Sequence, residues 1–214
     1  MNESSARPSG RGRAPRRGGR RRDTSNTPSR PRRDDGPERS GNLTTTTLLP
    51  PVEAPTGFAE LGVPSRIDDG LAKCGFAQPF AIQTEAVPVA MEGRDVCGRA
   101  KTGSGKTLAF GVPMLGRITD RAESRKPLGL VLVPTRELAV QVAEVLEPIG
   151  EHAQMRVLPV YGGASRHTQI DALRAGAELV VATPLRLIDL IKSGEVDLSA
   201  IQIVCIDEAD RMAD

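Results

Sequence analysis

Residues 100 to 107 combine two glycines, two lysines and two threonines in a spacing typical of a phosphate-binding loop. Glycines at 103 and 105 let successive backbone N–H groups surround anionic oxygens, because no side chain stands in the way. Lys106 would supply a positive charge for the β- and γ-phosphates, and the Thr107 hydroxyl would hold a magnesium ion that bridges them. The candidate nucleotide-binding residues of this run are Ala100, Lys101, Thr102, Gly103, Ser104, Gly105, Lys106 and Thr107. The alternative is a polar surface turn without a ligand.

A second group able to do chemistry is the carboxylate pair Asp207 and Glu208, which directly follows the apolar run 203–206. Nucleotide hydrolases place one such acid near magnesium and another beside the attacking water. We therefore predict that Asp207 holds the outer shell of the metal and that Glu208 polarises the water. The alternative is an acidic surface turn.

Both groups follow apolar runs that alternate with helical patterns. The runs predict buried strands at 95–99, 128–133, 157–160, 179–182 and 201–206. The helical patterns begin at Ser65, at Pro79 and near 108, and cover 136–149, 165–173 and 185–191. Repeated strand–helix units indicate an α/β fold, a mostly parallel sheet covered by helices on both faces. Ligands of such sheets collect at the carboxyl ends of the strands, so the loop, the acid pair and the intervening polar turns are expected at one rim.

The first 40 residues differ from the rest of the chain. They contain twelve arginines, no lysine and five acidic residues, a formal charge of +7, whereas the whole chain is only +2. Almost no apolar residue accompanies them, so residues 1–51 are predicted to be a disordered tail and linker, and residues 52–214 the folded part. Either the arginines bind phosphate backbones without reading sequence, or the tail merely aids solubility.

The remaining composition excludes several classes of protein. Cys74, Cys97 and Cys205 stand far apart in apolar patterns, which favours buried reduced thiols over zinc or disulfides. His152 and His167 are isolated, and we expect both on the surface. Neither a secretory signal nor an apolar run long enough to span a membrane is present, so a cytoplasmic location is expected.

The motifs together resemble the DEAD-box RNA helicases. Residues 207–210 spell Asp-Glu-Ala-Asp, the loop 100–107 fits the family including its alanine, and residues 75–83 resemble the family's adenine-reading glutamine motif. The resemblance implies a RecA-like fold and binding of ATP with Mg²⁺. It implies that Gln83 hydrogen-bonds adenine, that Phe58 stacks on it, and that Phe76 belongs to the same site. Phe80 departs from the family, in which Ser or Thr is common at this position.

Three further motifs resemble the family's contacts to the RNA backbone. They are Pro134, Thr135 and Arg136; Gly162 and Gly163; and Thr183, Pro184 and Arg186. Hydroxyls, N–H groups at helix starts and arginines all suit phosphate oxygens, and such contacts do not specify bases. Leu185 replaces the usual glycine of the third motif. Asp210 is expected to make interdomain contacts.

The resemblance covers residues 58–214, where family members continue with the rest of this domain and a second RecA-like domain. We therefore expect an N-terminal portion of an ATP-dependent RNA helicase, nearly inactive alone and with an apolar sheet edge exposed. The resemblance implies RNA as a partner and neither a membrane nor zinc. One alternative is a non-catalytic RNA-binding module, and another is a phosphate-loop ATPase without a nucleic-acid role.

Overall fold

The computed structural model describes residues 55–101 and 103–212. Its helices are α1 (Ser65–Lys73), α2 (Ala81–Met91), α3 (Lys106–Arg117), α4 (Arg136–His152), α5 (Arg166–Arg174) and α6 (Pro184–Lys192). Its strands are β1 (Gly129–Leu132), β2 (Val157–Val160), β3 (Leu179–Ala182) and β4 (Ile203–Ile206). Short 3₁₀ turns cover Ala59–Leu61, Leu198–Ala200 and Ala209–Met212. The predicted tail and linker, residues 1–51, lie outside the described residues.

The four strands form one parallel sheet in the order β2-β3-β1-β4. Each crossover between parallel strands contains a helix or a long connection, as parallel pairing requires. All four residues of β3 are buried, because this strand has a strand on each side and helices on each face. The prediction of a mostly parallel α/β sheet is confirmed.

Two separate apolar cores cover the two faces of the sheet. One face packs against α1, α3 and α4, through residues such as Leu71, Leu115 and Leu146. The other face packs against α5 and α6, through Ile170 and Leu190 among others. Helices on both faces therefore hold the strands in place, and the strand ends are presented to the rims.

Capping residues set where two of the helices begin. The Thr135 hydroxyl accepts from the backbone N–H of Leu138 at 3.2 Å, and Ser165 accepts from Thr168 at 3.4 Å. In α1, by contrast, Pro64 is the N-cap residue, Ser65 is the first helical residue, and no side chain caps the helix. Pro88 lies inside α2, which continues to Met91.

The predicted buried strand at 95–99 is wrong. These residues do not form a strand, and Val96 is 45% exposed. A strand needs a neighbour for its backbone groups, and within the described residues β4 pairs only with β1. The expected exposed sheet edge is present at β4, where Val204 and Ile206 are 52% and 56% exposed.

The cysteines follow the same division between core and edge. Cys74 and Cys205 are half-buried and free, but Cys97 lies on the unpaired segment and is exposed, so the prediction of a buried thiol is wrong there. Burial raises the pKa of the Cys205 thiol to about 12, helped by the negative charge of Asp207.

His152 and His167 are exposed, as expected. Across residues 55–101 and 103–212, no helix is long and apolar enough to cross a membrane.

Candidate nucleotide site and phosphate-binding groove

The phosphate loop has two positions, 103 and 105, whose backbone conformation only glycine adopts readily. Gly103 and Gly105 have φ angles of +80° and +86°, in the left-handed region that L side chains avoid. Gly105 has a second reason to be glycine, since a Cβ atom there would lie 2.7 Å from Cδ2 of Phe80. The α3 helix begins at the next residue, Lys106, so its N–H groups face the inside of the loop. Thr102 lies outside the described residues.

Two polar groups in the loop are arranged as they would be to receive an anion. The Lys106 ammonium donates to the Ala100 carbonyl oxygen at 2.9 Å, which holds the side chain across the loop. The Ser104 hydroxyl is buried and has no hydrogen-bond partner among the described residues. Buried polar atoms are nearly always paired, so this hydroxyl fits a site whose partner is a ligand oxygen. Lys101 is exposed, and Thr107 lies half-buried in the first turn of α3.

Gln83 connects the predicted adenine site to the phosphate loop. Its side chain is only 1% exposed, its Nε2 donates to the Gly105 carbonyl at 2.9 Å, and its Oε1 accepts from the backbone N–H of Phe80 at 2.8 Å. A single side chain thus fixes the start of α2 and the last glycine of the loop. The two motifs are 22 residues apart in the sequence and adjacent in space.

The aromatic residues of this region are arranged differently from the expectation. Phe58 is 1% exposed and belongs to the core, so neither face of its ring is open to a base in this conformation. Phe76 is half-buried against the same core. Phe80 is 59% exposed beside Gln83 and Gly105. The stacking role of Phe58 stays a prediction, and the burial of its ring counts against it.

The acid pair lies close enough to the loop for the two to interact. Burial raises the pKa of Asp207, while a hydrogen bond from the Glu208 N–H and the positive charge of Lys106 both lower it. That backbone bond, from Glu208 N to Asp207 Oδ1, measures 3.0 Å. Burial has removed part of the water around this carboxylate, and the hydrogen bond and the lysine charge do not fully replace it. Such a carboxylate is suited to binding a cation. Asp207 and Thr107 therefore fit a magnesium ion, with the oxygen ligands that this metal prefers.

Glu208 is held in an unusual backbone conformation. Its φ of +50° lies in the left-handed region, which is uncommon for a residue with a side chain. Arg211 supports it, donating to the Glu208 carboxylate at 2.6 Å from one turn further along. This fixes the carboxylate at the end of β4, beside the metal-binding candidate Asp207. Asp210 is exposed in the turn that follows.

A groove lies beside the ends of β1 and β2. It has a volume of about 450 Å³ and is lined by Arg136, Glu137, Val140, Tyr161, Gly163 and Ala164; we call it the Arg136 groove. Gly163 has a φ of +91°, and a Cβ atom there would lie 3.1 Å from the Arg136 guanidinium. The first two of the three motifs predicted to contact the RNA backbone therefore lie together in this groove. Arg136 also pairs with Glu137 at 3.1 Å, which reduces its effective charge.

The third motif is tied to this groove through α5. Arg186 donates to Oε1 of Gln169 at 3.0 Å, and Nε2 of Gln169 donates to the Tyr161 carbonyl at 3.0 Å. Pro184 is the first residue of α6, and the Thr183 side chain makes no capping bond within the described residues. Pro134 and Gly162 complete the rim, the first half-buried and the second exposed.

Sequence reasoning missed two residues that organise these sites. Arg211 could have been found from its spacing of three residues from Glu208, which suits a pair of opposite charges on a turn. Gln169 gave no sequence signal, because a glutamine within a helix is usually solvent-exposed, whereas this one is 5% exposed. Both act on predicted site residues rather than on a ligand.

Comparison with known proteins agrees with this geometry. A family model described as "DEAD/DEAH box helicase" matches residues 80–214. The chain belongs to this helicase family. The probable ATP-dependent RNA helicase ddx17 of Dictyostelium discoideum is 46% identical over 160 residues, 73% of this chain and 20% of that protein. The ATP-dependent RNA helicase DeaD of Mycobacterium tuberculosis H37Rv is 45% identical over 163 residues, 76% of this chain and 29% of that protein.

A solved helicase structure has the same fold. The RNA helicase Prp28 of Chaetomium thermophilum, determined with ADP bound, superimposes with a TM-score of 0.68 at 40% identity, over 75% of this chain and 40% of that one. The fold is therefore the RecA-like fold of the helicase family. The chain spans roughly 20% to 30% of the length of the curated relatives that it matches.

Proposed function

We propose that residues 52–214 form the ATP- and magnesium-binding part of an ATP-dependent RNA helicase that unwinds or remodels short duplexes. The observation that carries the proposal is the geometry of the phosphate loop, in which Gly103 and Gly105 have positive φ angles, α3 begins directly after them, and the Lys106 side chain lies across the loop. The buried, unpartnered Ser104 hydroxyl supports it. The ADP bound to the related Prp28 helicase supports it as well.

In the proposed reaction, the loop N–H groups and Lys106 bind the phosphates. Lys106 exchanges the Ala100 carbonyl for phosphate oxygens, which bear more negative charge. Thr107 and Asp207 hold magnesium, largely through water, and the metal supplies charge neutralisation at the phosphates when bound. Glu208 orients the attacking water and accepts its proton, and the Arg211 contact keeps its carboxylate in place.

RNA binding is assigned to the Arg136 groove and the neighbouring start of α6. Arg136, Thr183 and Arg186 would contact phosphate oxygens, with the exposed N–H groups of Gly162 and Gly163 beside them. Contacts of this kind give affinity without sequence preference, which suits a helicase that acts on RNA duplexes in general. We also propose a cytoplasmic location, and zinc and membranes have no part in the proposal.

We expect the 214-residue chain alone to hydrolyse ATP barely. An arginine supplied by a second domain is worth roughly 10³ to 10⁵ in the rate of related phosphoryl transfers. The proposed role of Asp210 is contact with that second domain. A non-catalytic RNA-binding module would need neither the buried Ser104 hydroxyl nor the carboxylate pair that follows β4, so we rank it below the helicase.

Calorimetric titration of ATP with magnesium into the chain tests the proposal. Lys106→Ala should weaken ATP binding at least about tenfold, because it removes the only side-chain charge proposed to contact the phosphates. Lys192→Ala, at the far end of α6, is the matched control and should leave the affinity unchanged. Equal ATP affinity in the wild type and Lys106→Ala would reject the nucleotide site.

A further inference from the structure

Gln169 is a buried glutamine whose side-chain amide is used at both ends. It lies on α5, and only 5% of its surface is exposed. Its Nε2 donates to the Tyr161 carbonyl at 3.0 Å, and its Oε1 accepts from Nη1 of Arg186 at 3.0 Å. The reverse orientation would set the NH₂ group against the guanidinium and the oxygen against the carbonyl, so the two partners fix the amide. One side chain therefore joins the loop before Gly162 to the first turn of α6.

Arg186 is held through one of its three nitrogen atoms. Nη1 donates to Gln169 and, at 3.5 Å, to the carbonyl of Ala164, a residue that lines the Arg136 groove. Across the described residues, Nη2 and Nε of Arg186 make no hydrogen bond, and no carboxylate pairs with the guanidinium. A guanidinium is a planar fork that suits two oxygens of one phosphate group. Two nitrogen atoms of Arg186 therefore remain for a phosphate.

The partner of Arg186 differs in charge from the partner of Arg136. Glu137 places a full negative charge 3.1 Å from Arg136, whereas the amide oxygen of Gln169 carries only a partial charge. A neutral acceptor fixes a guanidinium but balances its charge much less than a carboxylate does. Ordering a free arginine side chain on binding would cost roughly two- to tenfold in affinity. Gln169 avoids that cost and leaves the charge of Arg186 largely available.

We propose that Gln169 is a positioning residue for RNA binding, which orders Arg186 in advance for a phosphate of the RNA backbone and leaves the arginine its charge. This rests on the RNA contact proposed for Arg186. Gln169 itself is enclosed, so its effect on RNA affinity passes through Arg186. The bond to the Tyr161 carbonyl keeps the amide in the orientation that this role requires.

Gln169→Glu tests the part that depends on charge. The new carboxylate would pair with Arg186, so single-stranded RNA should bind about three- to tenfold more weakly, with a salt dependence reduced by roughly one phosphate contact. Fluorescence anisotropy of labelled RNA at two salt concentrations measures both quantities. A salt dependence equal to that of the wild type would overturn this part.

Gln154→Glu is the matched control. Oε1 of Gln154 also accepts from an arginine, Nη2 of Arg121 at 3.0 Å, but it lies in the turn before β2, at the opposite ends of the strands. This variant should leave the affinity and the salt dependence unchanged. An equal loss in Gln154→Glu and Gln169→Glu would overturn the proposal, since the added charge would then act from any position.

Gln169→Met tests the part that depends on anchoring. Methionine has a similar length but offers Arg186 no strong acceptor, so the arginine keeps its charge and loses its anchor. RNA affinity should fall about two- to fivefold, while the salt dependence stays that of the wild type, since the same phosphate is still contacted. Wild-type affinity in Gln169→Met would overturn the anchoring role.

A double-mutant cycle with Arg186→Ala separates positioning from a general role in the fold. Once the arginine is absent, Gln169→Glu and Gln169→Met should cause no further loss of RNA affinity. A loss of the same size in both backgrounds would overturn the proposal, since Gln169 would then act by shaping the loop at Tyr161. Urea unfolding verifies that each variant folds; if Gln169→Glu does not fold, the cycle with Gln169→Met decides.

The two proposals fail in different ways. If Arg186→Ala binds RNA as the wild type does, the RNA contact of Arg186 is wrong and the role of Gln169 fails with it. If Arg186→Ala weakens RNA binding while Gln169→Glu and Gln169→Met do not, only the role of Gln169 is overturned. ATP affinity should be unchanged in all of these variants, because the nucleotide site is separate from Gln169.

Discussion

The nucleotide site and the Arg136 groove lie on the same rim but differ in how their polar groups are satisfied. In the nucleotide site, the Ser104 hydroxyl lacks a partner among the described residues, and Asp207 has lost water without full compensation. In the groove, Arg136 is paired with Glu137 and Arg186 with Gln169. The first site is therefore built around groups that a ligand must complete, and the second around charges already partly balanced. This predicts strong, residue-specific effects in the first and small, distributed effects in the second.

The largest effect is expected at Glu208. Glu208→Gln keeps the size of the side chain but removes the proton acceptor, so turnover should fall about 10² to 10⁴-fold while ATP still binds. RNA-stimulated ATP hydrolysis at saturating ATP measures this, in the 214-residue chain and in a version extended by any coding sequence downstream.

Glu147→Gln, on the solvent side of α4, is the control and should leave the rate unchanged. Retained RNA-stimulated turnover in Glu208→Gln would show that another group activates the water. If neither the chain nor the extended version turns over, and both bind RNA equally with and without ATP, the binding-module alternative is correct.

A smaller effect is expected in the Arg136 groove. Arg136→Ala should weaken binding of single-stranded RNA about three- to tenfold and reduce its dependence on salt by roughly one phosphate contact. Glu137→Gln should act in the opposite direction, strengthening binding about twofold, because it releases Arg136 from its ion pair. Fluorescence anisotropy at two salt concentrations measures both variants.

The arginine-rich tail is common to both variants and to the wild type, so their ratios report on the groove. If Arg136→Ala and Glu137→Gln change the affinity in the same direction, the two side chains act by holding the shape of the groove rather than through charge.

The smallest effect is expected from the titration of Asp207. Burial raises its pKa in the folded chain, so the folded state holds a proton at pH values where the unfolded chain has released it. Its contribution to stability is therefore present below the ordinary pKa of an aspartate and is lost as pH rises through the raised value. Asp207→Asn should remove this loss, so the difference in the free energy of unfolding between variant and wild type grows with pH over that window.

Urea unfolding across that pH window, without nucleotide or magnesium, measures this difference. Magnesium and ATP should reverse the order, because they stabilise the wild type through the carboxylate. A constant difference between the two proteins at every pH would mean that Asp207 titrates normally.

Most of the helices and strands, and the polar residues at the carboxyl ends of the strands, could be predicted from the sequence. The strands at 157–160 and 179–182 were predicted with their observed bounds, because short apolar runs between helical patterns have few other uses in an α/β fold. The segment 95–99 has only Val96 and Cys97 as apolar residues, and within the described residues it has no neighbouring strand. Strand pairing depends on such a neighbour, which the sequence of the segment itself does not reveal.

The site shows the same limit at single residues. Glycines 103 and 105 were predictable, since their role depends on their own backbone. The burial of Phe58 and the buried position of Gln169 were not, since both depend on what packs around them. The order of motifs along the chain therefore located the site, while its aromatic surface and its supporting hydrogen bonds required the fold.

The bond from Lys106 to the Ala100 carbonyl has a consequence for nucleotide binding. Without a nucleotide, the carbonyl oxygen partly neutralises the ammonium that the proposed site would offer to phosphate. Each nucleotide that binds to the proposed site would have to break this hydrogen bond, so part of the gain from the phosphate contact would be offset by its loss. When the nucleotide leaves, the same carbonyl is available to the ammonium again.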